Sequence, residues 1–157
     1  MKIYLASSWR NPLQPTSVAL LREFGHEVYD FHNPPDADRG ELQGSRGTGS
    51  GFHWSEIDPH WQSWNANEYR RALNTLIAER GFNSDFDAMK WADVGVLLLP
   101  CGRSAHLELG WMAGAGKKTI IWTRDGEEPE LMAKMATHIC VSFEEVIAAL
   151  QQEEALA

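Results

Sequence analysis

Cysteine is scarce in this chain of 157 residues. Cys101 and Cys140 stand alone and far apart, which excludes a disulfide framework and a cysteine-rich metal centre. Both read as free thiols of a reducing compartment. The six histidines show no HExxH spacing, so no metal is expected. Basic residues are also few: 14 against 22 acidic ones, a net charge of -8, which leaves no basic face for polymeric nucleic acid. That balance still permits a small phosphorylated ligand held by local groups. No apolar run reaches the roughly 18 residues of a membrane span. Met1-Lys2 leads straight into a strand pattern rather than a signal peptide. The expectation is a cytoplasmic protein without a membrane partner. The glycine-rich run 44–51 has no strand before it and no Gly-Lys-Ser/Thr, which sets aside a phosphate-binding P-loop.

What is present suits a globular protein with a real core, read as one domain over 1–157: 43% hydrophobic and 23% charged residues. Ile3-Tyr4-Leu5-Ala6 is a short β-rich run, expected as the first and central strand. Apolar spacing at Val18, Leu20, Leu21 and Phe24 predicts a helix over 13–24, closed by Gly25. Residues 26–30 follow as a second strand. Helices are expected over 67–80, ending at Gly81, and over 83–92. Strands are expected over 94–99, 119–122 and 138–141, with a short helix over 130–136. Ser142, with Glu145 in the capping-box position, should start a last helix over 143–152. Strand-helix alternation of this kind defines an α/β class: a doubly wound, five-stranded parallel sheet of flavodoxin-like or Rossmann-like order 2-1-3-4-5.

Residues 31–65 break the pattern. They hold Pro34, Pro35, the glycine run, and then Phe52, Trp54, Trp61 and Trp64, three of the seven tryptophans. Loops this long are usually functional or disordered. The glycine run suits a flexible tether, whereas the aromatic segment reads as a lid or pocket wall.

The stretch 85–117 organises the rest. An unbroken apolar strand is stopped by Pro100 and Gly102. A helix then follows, with Ser104 as its expected N-cap and Gly114 and Gly116 at its end. Glu108 lies just inside that helix, either solvated on an outer face or placed for chemistry at the carboxyl edge of the sheet. The positive helix end should lower its pKa and hold it ionised. Such a carboxylate suits attack on an anomeric carbon. Asp85 follows Asn83-Ser84 and reads either as an N-terminal helix acid or as a site acid, with Asp87 a competing candidate. Asp93, directly before the strand, reads as structural. Residues 7–11, the long loop and residues 100–104 should meet at the switch point beside the first strand. Arg10, Arg103 and Ser104 are the candidate anion-binding groups there.

These residues together resemble the nucleoside 2-deoxyribosyltransferase family, which includes deoxynucleoside 5'-monophosphate N-hydrolases. The matching pieces are Asp85, Ala92-Asp93, the strand Val94 to Leu99, Glu108-Leu109-Gly110 and Gly116-Lys117, with Ile3 to Arg10 at the start. The resemblance implies that Glu108 is a nucleophile attacking C1' and that Asp85 protonates or holds the leaving base. It implies that Ser8 and Arg10 line the sugar or phosphate end; Arg103 and Ser104 at the helix start suit a 5'-phosphate, and Trp9 and Gly102 are further substrate-binding candidates. Trp54 is expected to stack on the base. The partner is then a small nucleoside or nucleotide, no cofactor is needed, and a homodimer or larger homo-oligomer is implied. Transferases of the family carry Asp-x-Gly six to four residues before the glutamate, where this chain has Gly102 and Ser104. The expectation is therefore an N-glycosidase acting on a nucleotide. Base-exchanging transfer is the nearest alternative, and a non-catalytic nucleotide-binding module a further one.

Overall fold

Side chains alternate across a strand, and the first strand uses both faces. In β1 (Lys2–Ala6), Ile3 and Leu5 enter one apolar cluster, while Tyr4 and Ala6 enter another. In β2 (Glu27–Tyr29), Val28 and Tyr29 divide the same way. β3 (Val94–Leu98) is buried along its whole length, as a central parallel strand should be. β4 (Lys118–Trp122) and β5 (His138–Cys140) complete a sheet that is parallel throughout, in the order β2-β1-β3-β4-β5. This is the expected architecture. The computed structural model describes residues 1–156.

α1 (Gln14–Glu23) and α5 (Phe143–Leu156) cover the aliphatic face, where Val18, Leu21, Val146 and Leu150 meet Ile3, Leu5, Val96 and Ile120. α3 (Leu76–Trp91) and α4 (Arg103–Gly114) cover the other face, packing Ala88, Met89, Leu109 and Met112 onto Tyr4, Leu97 and Ile121. α4 comes unusually close to β3: a Cβ at Gly95 would stand 2.7 Å from the Met112 sulfur. The Gly116-Lys117 pair is structural. Gly116 turns the chain at φ +76°, and Lys117 Nζ donates to the carbonyls of Lys90 and Ala92 at the end of α3. No described helix is long and apolar enough to cross a membrane.

Three local expectations need correction. The helices expected over 67–80 and 83–92 are instead α2 (Ala66–Ala72) and α3, and α3 runs through Gly81. Gly81 is not a stop; Phe52 packs onto it so closely that a Cβ would lie 2.5 Å from the Phe52 Cβ. Ser104 is not the N-cap of α4. Gly102 holds that position, extended and without a side-chain cap, so the first-turn N–H groups of α4 have no side-chain acceptor there. The short helix expected over 130–136 is a 3-10 turn, Leu131–Met135. Ser142 caps α5 as expected, accepting from Glu145 N–H (3.2 Å), but the Glu145 side chain accepts from Val141 N–H (2.8 Å), one residue before the N–H a capping box uses.

The glycine run is no tether. Gly49 N–H donates to Pro34 O (3.0 Å) and Gly51 N–H to His32 O (3.3 Å), so two backbone segments lie against each other with no side chain between them. Glu41 gathers this part of the loop by accepting from Asp36 N–H (2.7 Å) and Thr48 N–H (2.8 Å).

Candidate active site

The carboxyl ends of β1 and β3 are joined by a polar knot. Ser7 donates to Leu98 O (2.9 Å), and the Asn11 side-chain amide reaches Ser7 Oγ (3.1 Å) and Pro100 O (3.2 Å). Buried Asn11 thus fixes the first strand-to-helix turn against the loop that opens α4. Beyond β2, Asp30 accepts from Gln14 (2.8 Å), His32 N–H (3.0 Å) and Asn33 (3.1 Å), which sets the direction in which residues 31–65 leave the sheet.

Two tyrosines form the floor. Tyr4 and Tyr29 pair in register on adjacent strands, and their rings stack 5.5 Å apart at 10°. Tyr29 donates to Asp85 Oδ1 (2.7 Å) and also meets Ser84 Oγ (2.9 Å). Asp85 is therefore not a helix-start acid but a mid-helix residue turned onto the sheet. Glu108, on α4, lies near the same floor, where the charge of Asp85 and the hydroxyl of Tyr4 both act on its carboxyl.

The electrostatics overturn one expectation. Glu108 is not held ionised by the helix end; burial, then the nearby Asp85 charge, push it up to about 7, and Tyr4 opposes this only in part. Burial likewise raises Asp85 to about 6, against the hydrogen bond from Tyr29. Both tyrosine hydroxyls are pushed well up by burial and by these carboxylates, so they stay protonated donors. Two carboxyl groups that share one desolvated floor hold about one proton between them near neutrality.

A cleft of about 220 Å³ opens beside Asp85, walled by Tyr29, Ser84 and Arg80 on one side and by Ser50, Phe52 and Glu56 of the long loop on the other. The loop therefore forms a pocket wall as expected, but through Phe52 rather than Trp54. Trp54 packs edge-on against Phe52 and Trp64 of the loop and against Tyr69 of α2. Trp9 is the hinge pin of this wall: its ring stacks on His32 at 4.2 Å, and its Nε1 donates to Phe52 O (3.2 Å). Ser8 Oγ accepts from Arg10 N–H (3.2 Å), and Arg10 is exposed on that turn. Gly102, Arg103 and Ser104 lie exposed at the open end of α4. A larger groove of about 410 Å³ runs between α4 and residues 123–136, but it is mostly apolar and lacks Asp85; Glu108 lines neither cavity. The smaller one, whose wall holds the raised Asp85 carboxyl, is the candidate site.

The competing acids separate cleanly. Asp87 points outward and pairs with Lys90 (2.8 Å). Asp93 accepts from Lys2 N–H (2.9 Å) at the opposite edge of the sheet, a structural role. Cys101 and Cys140 are both free, and burial raises the Cys101 thiol to about 12, which makes it no nucleophile. Tyr4, Tyr29 and Arg80 escaped the sequence reading as site residues, and Asn11 and Phe52 were covered only as parts of the turn and the loop. The one available signal was Tyr4 and Tyr29, two aromatic residues in adjacent apolar strands.

Known structures share this architecture. A 2-deoxyribosyltransferase from Bacillus psychrosaccharolyticus matches with a TM-score of 0.56 at 21% identity, over 93% of this chain and 90% of its own. A CMP N-glycosidase from Clostridium botulinum, BcmB, matches with a TM-score of 0.53 at 16% identity, over 96% and 99%. At such identities the likeness establishes the common α/β fold. No protein-family model matches the sequence, and no curated protein matches it.

Proposed function

We propose that the protein cleaves the N-glycosidic bond of a nucleoside 5'-monophosphate or nucleoside through a glutamate nucleophile. One observation carries this reading: Asp85 and Glu108, from different helices, converge on the Tyr4–Tyr29 stack with both pKa values raised. Glu108 carboxylate attacks C1', and the C1'–N bond breaks with its electron pair passing to the base. Asp85 delivers the proton that neutralises the leaving base. Water then attacks C1' of the glycosyl-enzyme and gives a proton to the Asp85 carboxylate, while the C1'–Glu108 bond breaks with its electron pair returning to Glu108; the sugar is released and both acids return to their starting forms. Net reaction consumes one water per base released.

The reactive form has Glu108 ionised and Asp85 protonated. Glu108 loses its charge as pH falls through about 7, and Asp85 loses its proton as pH rises through about 6, so the reactive form is the less populated of the two one-proton forms and is richest midway between these values. The pair therefore supports a narrow bell-shaped profile of kcat/KM around this range. The uncapped start of α4, with Arg103 and Ser104, suits a 5'-phosphate, and Arg10 on the adjacent turn adds charge. The absence of an acid at positions 102 and 104 favours hydrolysis over base exchange, and the likeness to a CMP N-glycosidase is in keeping with it.

A chromatographic screen tests this reading. Ribo- and deoxyribonucleosides and their 5'-monophosphates are incubated with the protein, with and without a second free base, beside Glu108→Ala. Base release lost in the variant by about 10³-fold or more is expected. A new nucleoside formed only with an acceptor base would replace hydrolysis by transfer. No release from any substrate by the folded wild type would sink the enzymatic reading and leave a nucleotide-binding module.

A further inference from the structure

The cleft beside Asp85 contains a cation that the reaction above does not use. Arg80 lies on α3 and contributes to the cleft wall together with Asp85, Ser84, Glu56 and Phe52. No ion pair joins Arg80 to any carboxylate among the described residues. Two other polar side chains of the wall are engaged elsewhere. Ser84 meets the Tyr29 hydroxyl (2.9 Å), and Glu56 accepts from His53 N–H (2.7 Å) to cap its own turn. Phe52, Ile77 and Pro34 supply apolar surface.

Size and position say which part of a nucleotide this cleft takes. At about 220 Å³ it is smaller than the roughly 300–1,000 Å³ of pockets that enclose a drug-sized ligand. It suits a single planar ring system. The start of α4 follows β3, on one side of β1, whereas the cleft borders β2, on the other side. A phosphate at the α4 end and a base in the cleft would put Asp85 beside the leaving nitrogen.

We propose that Arg80 reads the base, selecting nucleobases that bear a ring carbonyl over adenine. This rests on the N-glycosidase reading. A guanidinium has five donors and no acceptor, so it pairs with an edge that presents acceptors. Guanine and hypoxanthine offer O6 beside N7, and cytosine offers O2 beside N3. Adenine flanks its N1 and N7 with an amino donor that a guanidinium cannot satisfy. The same logic makes arginine the partner of guanine and leaves adenine to asparagine and glutamine in duplex recognition.

The test has two arms. Calorimetry measures binding of free cytosine, hypoxanthine and adenine to the wild type and to Arg80→Gln, with thermal unfolding to verify that the variant is folded. Base release is measured in parallel from the matching nucleosides and 5'-monophosphates. The wild type should prefer the carbonyl bases by about 10-fold, and Arg80→Gln should erase or invert that preference, weakening the carbonyl bases and, through the glutamine amide, favouring adenine. The proposal is overturned by a preference that survives in Arg80→Gln, by a loss that tracks the 5'-phosphate instead of the base, or by a wild type that binds none of the bases. Base release without an Arg80-dependent preference removes this inference and leaves the proposed reaction standing. Arg80-dependent binding without release from any nucleotide removes the reaction and keeps the base reading.

Discussion

The two faces of the sheet come from the same strands and are built on opposite terms. The face under α1 and α5 is aliphatic and closed: Ile3, Leu5, Val28, Val94, Val96 and Ile120 interlock with Val18, Leu21 and Leu150. The face under α3 and α4 carries Tyr4 and Tyr29 and receives two carboxyl groups that its apolar surroundings penalise. One face supplies stability; the other uses some of it to hold charge where water is thin. Residue by residue along β1, the boundary between these roles is a single side-chain step, from Leu5 to Tyr4.

The largest expected effect breaks the closed face. Leu5 is fully buried in it, and Leu5→Ala removes its side chain and leaves a cavity, costing about 3 kcal/mol of stability. Denaturant unfolding should show that loss, while kcat/KM per folded molecule stays near the wild-type value. A variant that kept its stability but lost turnover would dissolve the distinction between the faces.

The converse substitution lies on the other face. Folding raises Glu108 from an ordinary 4.5 to about 7. The folded state resists its ionisation, so this group's contribution to stability is fully present below about 4.5 and declines until pH passes about 7. Glu108→Gln removes the charge and should stabilise the protein at pH 8 by on the order of 1–2 kcal/mol, discounted for the partial exposure of the group. Thermal unfolding should show the gain shrinking to nothing by pH 4, while turnover is lost at every pH. An equal gain at both pH values would mean that packing, not charge, separates the variants.

Much of this organisation was legible in the sequence because burial writes itself into apolar runs. Val94 to Leu98 had to be a covered strand, and the strand-helix alternation led directly to the observed order. Glu108 stood out as the lone acid in an apolar helix. Three things were not legible, each for a tertiary reason. Gly81 looks like a helix stop, since an interior glycine costs about 1 kcal/mol, and only the packing of Phe52 from a distant loop explains why α3 continues through it. The charge state of Glu108 was misjudged because the helix end is a local effect, whereas desolvation and the charge of Asp85 come from the fold. Tyr29 carries no spacing relation to Asp85; the pairing exists only once β2 and α3 lie side by side.

The finest comparison is within the charged face, between its two acids. Asp85 has a hydroxyl donor at 2.7 Å, from Tyr29, and is raised to about 6. Glu108 has the weaker help of Tyr4, feels the charge of Asp85, and is raised to about 7. Tyr29→Phe keeps the ring that stacks on Tyr4 but removes the donor. A hydrogen bond to the charged form favours that form, so its loss should push Asp85 higher still, by about one pH unit. Asp85 would then keep its proton to higher pH, and the alkaline limb of the kcat/KM profile should move up by that amount. The acid limb should move down by less, because a more fully protonated Asp85 repels the Glu108 charge less. Movement of both limbs in the same direction would show that Tyr29 acts on the pair through packing alone, and an unmoved profile would take Asp85 out of the proton transfer.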